Sequence, residues 1–162
     1  MKKLDVGCGD APRGDVNCDL HVGRSPDFGR KRVHGFIEPK HIPNFVRCSA
    51  NDLPFRDGAF EEVSCHGVLV YRSVDFTRAF FELVRVASRL VEFTVPHRFR
   101  FYHYRQPTHA VDRAFNVKSL DRWLRRKGFC GVFKVSKACF PHELICLIRL
   151  PRSIFVSIRL GG

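Results

Sequence analysis

Nine residues, 7–15, separate two short segments that read as β-strands, residues 3–6 and 16–20. A strand–helix–strand crossover needs about ten to twelve residues or more. The connection is therefore a turn-rich loop through Pro12 and Gly14, with no crossover helix of normal length. That excludes one large class of nucleotide site. Dinucleotide folds set a pyrophosphate on the N-terminus of the crossover helix, after a third glycine. Here Pro12 stands at the third position. A phosphate-free ligand loses nothing by this. Gly7-Cys8-Gly9 closes the first strand, and its glycines let backbone approach a ligand closely. Asp19 ends the second strand, where a carboxylate can accept both hydroxyls of a ribose, or simply open the next loop.

Residues 21–44 hold Gly23, Pro26, Gly29, Gly35, Pro39 and Pro43 and read as a long loop with at most one irregular turn. A third strand is expected at 45–48 and a fourth at 62–66, ending at Gly67. Phe76, Ala79, Phe80, Leu83, Val84 and Ala87 fall on one helical face, predicting a helix over 75–87 capped by Ser73. The run 89–95, closed by Pro96, predicts a fifth strand. A second helix is expected over 117–127: Asn116 caps its start, Arg125, Arg126 and Lys127 suit its negative end, and Gly128 closes it. Residues 133–136 and 144–150 read as two further strands, antiparallel partners. Strands alternating with helices and loops make an α/β chain, with one mostly parallel twisted sheet and an antiparallel edge pair. Such sheets collect ligands at the carboxyl ends of their strands.

The chain of 162 residues, 44% hydrophobic and 27% charged, suits a single domain over 1–162. Its seven cysteines are odd in number and scattered, which points away from a disulfide framework and toward a reducing, cytoplasmic setting. Cys139, His142 and Cys146 come nearest to a ligand cluster, but their spacing matches no common metal site and no metal is expected. The first nine residues carry an acid and two glycines where a signal peptide would be apolar. The apolar tail, 144–160, is broken by Arg149, Pro151, Arg152 and Arg159, so no membrane span is expected.

Further segments fall in a telling order. Leu53-Pro54-Phe55-Arg56-Asp57-Gly58-Ala59-Phe60 precedes the fourth strand. Ala79-Phe80-Phe81-Glu82-Leu83-Val84-Arg85-Val86 lies in the first helix, Val91-Glu92-Phe93-Thr94-Val95-Pro96 in the fifth strand, and residues 123–129 at the second helix's end. Together with Asp5-Val6-Gly7-Cys8-Gly9 and Asp19, they resemble the class I S-adenosylmethionine-dependent methyltransferases, in particular the type 11-like group and its short-crossover members. The resemblance runs from Lys3 to about Leu150. It implies a Rossmann-like methyltransferase fold with reduced helical cover, S-adenosylmethionine as cofactor, and methyl transfer to an O, N or C acceptor. By the same resemblance, Asp5 and the turn Gly7, Cys8 and Gly9 shape the pocket for the cofactor's amino-acid part. Asp19 would hold the ribose and Leu20 pack on the adenine. Residues just before Leu53 would edge the adenine, and His66 with Gly67 would lie beneath the methionine moiety. The chain departs from the pattern at Ala11, where a third glycine is frequent, and in its short crossover. It departs again at Ser49, where an adenine-contacting Asp is common, leaving Asn51 or Asp52 for that part.

The net charge of +12 favours anionic partners. Twenty of the 28 basic residues are Arg, which suits phosphate, although heat-adapted proteins lean the same way. Residues 97–127 hold nine Lys and Arg against two acids, interleaved with Phe99, Phe101, Tyr102, His103, Tyr104, His109 and Phe115. Arginines among stackable rings suit single-stranded RNA; a solvated helix face is the plainer reading. Cys65-His66-Gly67-Val68 stands where enzymes acting on exocyclic base amines carry Asn/Asp-Pro-Pro-aromatic, which weighs against that chemistry. An oxygen acceptor would need a base, for which His97, Tyr71, Tyr102 and His103 are the candidates. The expected function is methyl transfer to RNA or a small molecule. The alternative is a nucleic-acid-binding or partner-subunit module on a degenerate methyltransferase scaffold, and self-association as a homodimer stays open.

Overall fold

Seven strands form one sheet in the order β3-β2-β1-β4-β5-β7-β6 in the computed structural model, which describes residues 2–9, 11–20, 41–98, 115–139 and 149–161. The strands are β1 (Lys3–Val6), β2 (Val16–Asp19), β3 (Phe45–Arg47), β4 (Phe60–Cys65), β5 (Ala87–Pro96), β6 (Val132–Cys139) and β7 (Arg149–Arg159). β1 to β5 run parallel, and β7 is antiparallel to both β5 and β6. The expected α/β sheet with its antiparallel pair is therefore the observed one. Two helices are described, α1 (Phe76–Val86) and α2 (Val117–Arg126). The expected loop at 21–44 lies outside the described residues over 21–40.

Parity separates the two faces of the sheet. Register places Leu4, Val63, Val91 and Ile158 in one row, and Val6, Cys65, Phe93 and Val156 in the next. All eight are at most 2% exposed. α1 covers this face with Phe76, Ala79, Phe80, Leu83 and Val86. Phe80 packs edge-on against Phe93 and against Trp123 of α2. Burying each such side chain stabilises the fold by about 1.5–3 kcal/mol. The opposite face carries Asp5, Asn17, Ser64, Glu92, Thr94 and Ser157. Both described helices sit on the apolar face.

Two boundaries differ from expectation for physical reasons. Asp75, not Ser73, caps α1: its carboxylate accepts from Thr77 N at 2.9 Å and Arg78 N at 3.0 Å. Ser73 lies too far upstream for that geometry, and its carbonyl accepts instead from the Asn51 side chain. The last strand is Arg149–Arg159, where 144–150 was expected; residues 144–148 lie outside the described ones. Its alternation of Ile154, Val156 and Ile158 with Ser153, Phe155 and Ser157 is the two-residue strand period. Pro151, which argues against an inner strand, is tolerated beside the register shift between Ser136 and Lys137.

Candidate functional site

The carboxyl ends of β1, β2 and β4 meet at one edge of the sheet, because Val6 pairs with Cys18 on one side and Cys65 on the other. The chain leaves β1 through Gly7 (φ 74°) and Gly9 (φ 55°), in the left-handed region glycine tolerates best. Gly7 N and Cys8 N both donate to Cys18 O, at 2.7 and 3.1 Å, which ties the turn to β2. Gly9 N donates to Asp19 Oδ2 at 3.0 Å. The glycine turn and the acid at the end of β2 thus form one unit, although nine residues stand between Gly9 and Asp19 in the chain.

The rest of the crossover is pinned to the polar face. Arg13 N donates to Asp5 Oδ2 at 3.0 Å, and Ser64 Oγ lies 3.2 Å from Asp5 Oδ1. Ala11 N donates to Cys8 O and Asp15 N to Lys3 O. Asn17, fully buried, accepts from Gly14 N through its side-chain oxygen and donates from Nδ2 to Gly14 O and Pro43 O. A Cβ on Gly14 would lie 2.4 Å from Val16 O and 2.7 Å from Asp5 N, so the loop lies flat on the strands. Asp5, assigned by resemblance to the cofactor pocket, here braces the loop that frames it. Asn17 and Ser64 went unmarked in the sequence; a buried polar residue between two strand apolars was the available signal.

On the β4 side, Gly67 (φ 75°) follows His66 and donates its N–H to Thr94 Oγ1 at 3.0 Å. A Cβ on Gly9 or on Gly67 would meet nothing within 4 Å, so both present bare backbone to open space. The Gly9–Asp19 pair thus lies at the carboxyl ends of β1 and β2, and His66 with Gly67 lies past the end of β4. His66 is half-buried, 6.1 Å from the Phe155 ring, and its Nδ1 is buried without a hydrogen-bond partner among the described residues. Burial holds its pKa below the usual histidine value, with Asp5 opposing and Arg13 reinforcing the shift. The imidazole is neutral at physiological pH. Residues of this site fit the amino-acid and ribose ends of S-adenosylmethionine.

The segment expected to edge the adenine is 49–53, with Leu20 expected to pack on it. Leu20 is 43% exposed, an apolar side chain left facing solvent. Leu53 is buried, and its N–H donates to Glu82 Oε2 of α1 at 2.8 Å. Arg85 bonds Glu82 and also donates to Leu53 O at 2.9 Å, Phe55 O at 2.7 Å and Asp57 at 2.8 Å. Two separate sequence signatures, at 53–60 and 79–86, are thus one clamp. Ser49 Oγ accepts from Asn51 N. The Asn51 amide is committed to the entry of α1, accepting from Asp75 N and donating to Ser73 O. Asp52 is exposed, so of the two replacements expected for the adenine contact it has the freer side chain.

Burial pushes the Cys8 thiol up to about 12, helped by Asp19 and Asp5. A hydrogen bond with Cys48, together with burial, raises Cys18, and burial raises Cys65. These three stay protonated as packing groups. Among the described residues no cluster of three or more His, Cys, Asp or Glu could hold a metal ion. His142 and Cys146 lie outside the described residues. No helix among the described residues is long and apolar enough to cross a membrane.

Of the base candidates, Tyr102 and His103 lie outside the described residues. The Tyr71 phenol is raised by burial and by Asp19, so it is a poor proton acceptor. His97, 7% exposed, directly follows β5 and bridges to Phe115. Burial and then Arg98 lower its pKa, which favours the neutral imidazole.

No family model matches the sequence, and no curated protein matches it. Solved structures do. A putative methyltransferase from Bacillus halodurans superposes with a TM-score of 0.68 at 15% identity, over 99% of this chain and 92% of that one. An S-adenosylmethionine-dependent methyltransferase from Mesorhizobium loti gives 0.61 at 18% identity, over 98% and 90%. Magnesium protoporphyrin IX methyltransferase from Synechocystis PCC 6803, crystallised with bound S-adenosylhomocysteine, gives 0.61 at 13% identity, over 99% and 74%. With its strand order and its glycine turn at the end of β1, the chain has the fold of the class I S-adenosylmethionine-dependent methyltransferases.

Proposed function

We propose that this chain binds S-adenosylmethionine at the carboxyl edge of β1, β2 and β4 and transfers its methyl group to an acceptor. The observation that carries the reading is the Gly9 N–Asp19 Oδ2 hydrogen bond at the carboxyl ends of β1 and β2, with open space over Gly9. When bound, the cofactor supplies a methyl group activated by a sulfonium. The chain's own part is to position and to exclude water. Asp19 would accept the ribose hydroxyls, and Leu20 and the 49–53 segment would flank the adenine, with Asp52 as its polar contact. Gly7, Cys8 and Gly9 would line the amino-acid arm, and neutral His66 with Gly67 would lie beneath it. For an oxygen acceptor, His97 is the base we favour.

Isothermal titration with S-adenosylhomocysteine tests this. The wild type should bind, and Asp19→Ala should weaken binding about 10-fold or more, the loss of hydrogen bonds to a charged group. A wild type that binds neither S-adenosylhomocysteine nor S-adenosylmethionine would favour the non-catalytic alternatives, a nucleic-acid-binding or partner-subunit module.

For the acceptor we propose RNA, with a small molecule as the competing outcome. Support comes from the charge of residues 97–127, of which Arg98, Lys118, Arg122, Arg125, Arg126 and Lys127 are described and exposed. RNA affinity should fall steeply with salt, and Arg98→Ala with Arg100→Ala should weaken it. Binding indifferent to both would end the RNA reading. A cytoplasmic setting belongs to the same proposal, supported by five free cysteines among the described residues. Whether the active species is a homodimer is read by light scattering.

A further inference from the structure

The amino-acid arm of the proposed cofactor ends in a carboxylate, and a negative group at a sheet edge is ordinarily held by backbone N–H groups at a helix N-terminus. This chain has no crossover helix there. Nor do its described crossover N–H groups replace one. Gly7, Cys8, Gly9, Ala11, Arg13, Gly14 and Asp15 each donate within the fold; Pro12 has no N–H, and Asp10 lies outside the described residues. A side-chain cation on the crossover is the natural substitute, and Arg13 is the one basic residue in 7–15.

Arg13 is also in the right place. Its own N–H on Asp5 Oδ2 anchors its backbone over the end of β1. Its charge adds to the lowering of the His66 pKa, so its field reaches the end of β4, which pairs with β1. Arg13 is exposed and takes part in no ion pair among the described residues. An exposed guanidinium carried by this loop, outside every ion pair among the described residues, suits a carboxylate, since its fork matches the two oxygens.

We propose that Arg13 anchors the carboxylate of the cofactor's amino-acid arm, in place of the crossover helix this chain lacks. The inference rests on the functional reading above and adds to it a residue that decides which adenosyl ligands are retained.

Two ligands separate the outcomes. S-adenosylhomocysteine carries the carboxylate; 5′-methylthioadenosine keeps adenine, ribose and sulfur but lacks the arm. Calorimetry on Arg13→Ala should show S-adenosylhomocysteine binding about 10- to 100-fold weaker and methylthioadenosine binding within about twofold of wild type. Arg13→Lys should fall between, keeping charge but not the fork. Because the loop is held by the backbone N–H of residue 13, both variants should retain the wild-type melting temperature. Equal losses for the two ligands would overturn the proposal, since they would mean a disturbed loop. Unchanged affinity for both would overturn it as well, leaving cofactor binding intact. A wild type that binds neither ligand overturns the functional reading and this inference with it.

Discussion

Replacing Arg85 with alanine removes the residue that ties the 53–58 segment to α1, and its cost can be worked from the contacts. The guanidinium donates to two backbone carbonyls, Phe55 O at 2.7 Å and Leu53 O at 2.9 Å, and pairs with Glu82 and Asp57 at 2.8 Å. The Asp57 side chain is 81% exposed, so water screens that pair to a few tenths of a kcal/mol. Glu82 is only 18% exposed, and once Arg85 is gone it holds its charge with a single backbone partner, Leu53 N. A hydrogen bond to a charged group contributes about 1.5–3 kcal/mol when buried. The Arg85 side chain is 32% exposed, so the lower end applies to each carbonyl. The sum is about 3 kcal/mol, or about 6–12 °C in Tm for a domain of this size. Urea denaturation of Arg85→Ala beside Glu82→Gln gives the assay. The Gln variant keeps an acceptor for Leu53 N and should lose only about 1 kcal/mol. The double variant should lose less than the two single losses added, because the residues share one network. Full additivity, or a cost below about 1 kcal/mol for Arg85→Ala, would refute the clamp.

Other substitutions probe the crossover and the turn. Gly7→Ala puts a Cβ 1.9 Å from Val68 Cγ2 at a φ of 74°, so backbone strain of about 1–2 kcal/mol and overpacking of about 1–3 kcal/mol add. Gly67→Ala, at φ 75° with open space, should cost the backbone part alone; equal losses in urea midpoint would discount the overlap with Val68. Asn17→Ala strands Gly14 N and two carbonyls and should cost about 3 kcal/mol. Asn17→Asp loses both donor bonds, so a near-wild-type melting temperature for it would argue against the amide's role. Stability should also fall on mild acidification. His66 and His97 both titrate below the ordinary 6.5 when folded, so the unfolded chain takes up protons first. Their contribution is intact above pH 6.5 and shrinks as pH drops through it. Urea midpoints at descending pH should decline from that point, less so in a His66→Asn, His97→Asn double variant; a midpoint that rises on acidification contradicts the sign.

Local patterns were legible where one face is apolar and the period is clean. β1 lies at the expected residues, and α1 and α2 lie within one residue of expectation, because burial of every third or fourth side chain writes itself into the chain. β7 runs on to Arg159, and the expected end fell short at 150 because its apolar period is interleaved with Arg149, Pro151, Arg152 and Arg159, each a poor strand signal on its own. The clamp was visible only as two separate signatures. Arg85 meets Leu53 and Phe55 across some thirty residues of chain, and no local period encodes such a contact. The site was legible in part for the same reason. Gly7, Gly9 and Asp19 announce themselves by type, whereas Arg13 becomes notable only once the described N–H groups around it have been assigned partners.

The short crossover and the polar sheet face are one constraint. A helix between β1 and β2 would cover that face with apolar side chains, and the strands beneath could then be apolar on both sides. With nine residues in its place, the cover is a strip of backbone, and backbone needs hydrogen bonds where a helix would offer methyl groups. Asp5, Asn17 and Ser64 lie beneath or beside that strip, and Asp5 and Asn17 bond its Arg13 and Gly14 N–H groups directly. Asp5 is thereby drawn into holding the loop, which moves the duty of meeting a ligand's charge outward to a side chain the loop itself carries. Lengthening the crossover with a helix-forming insertion after Ala11 should therefore not free Asp5 and Asn17. It should strand them as buried polar groups beneath an apolar cover, and lower the melting temperature even where the inserted helix forms.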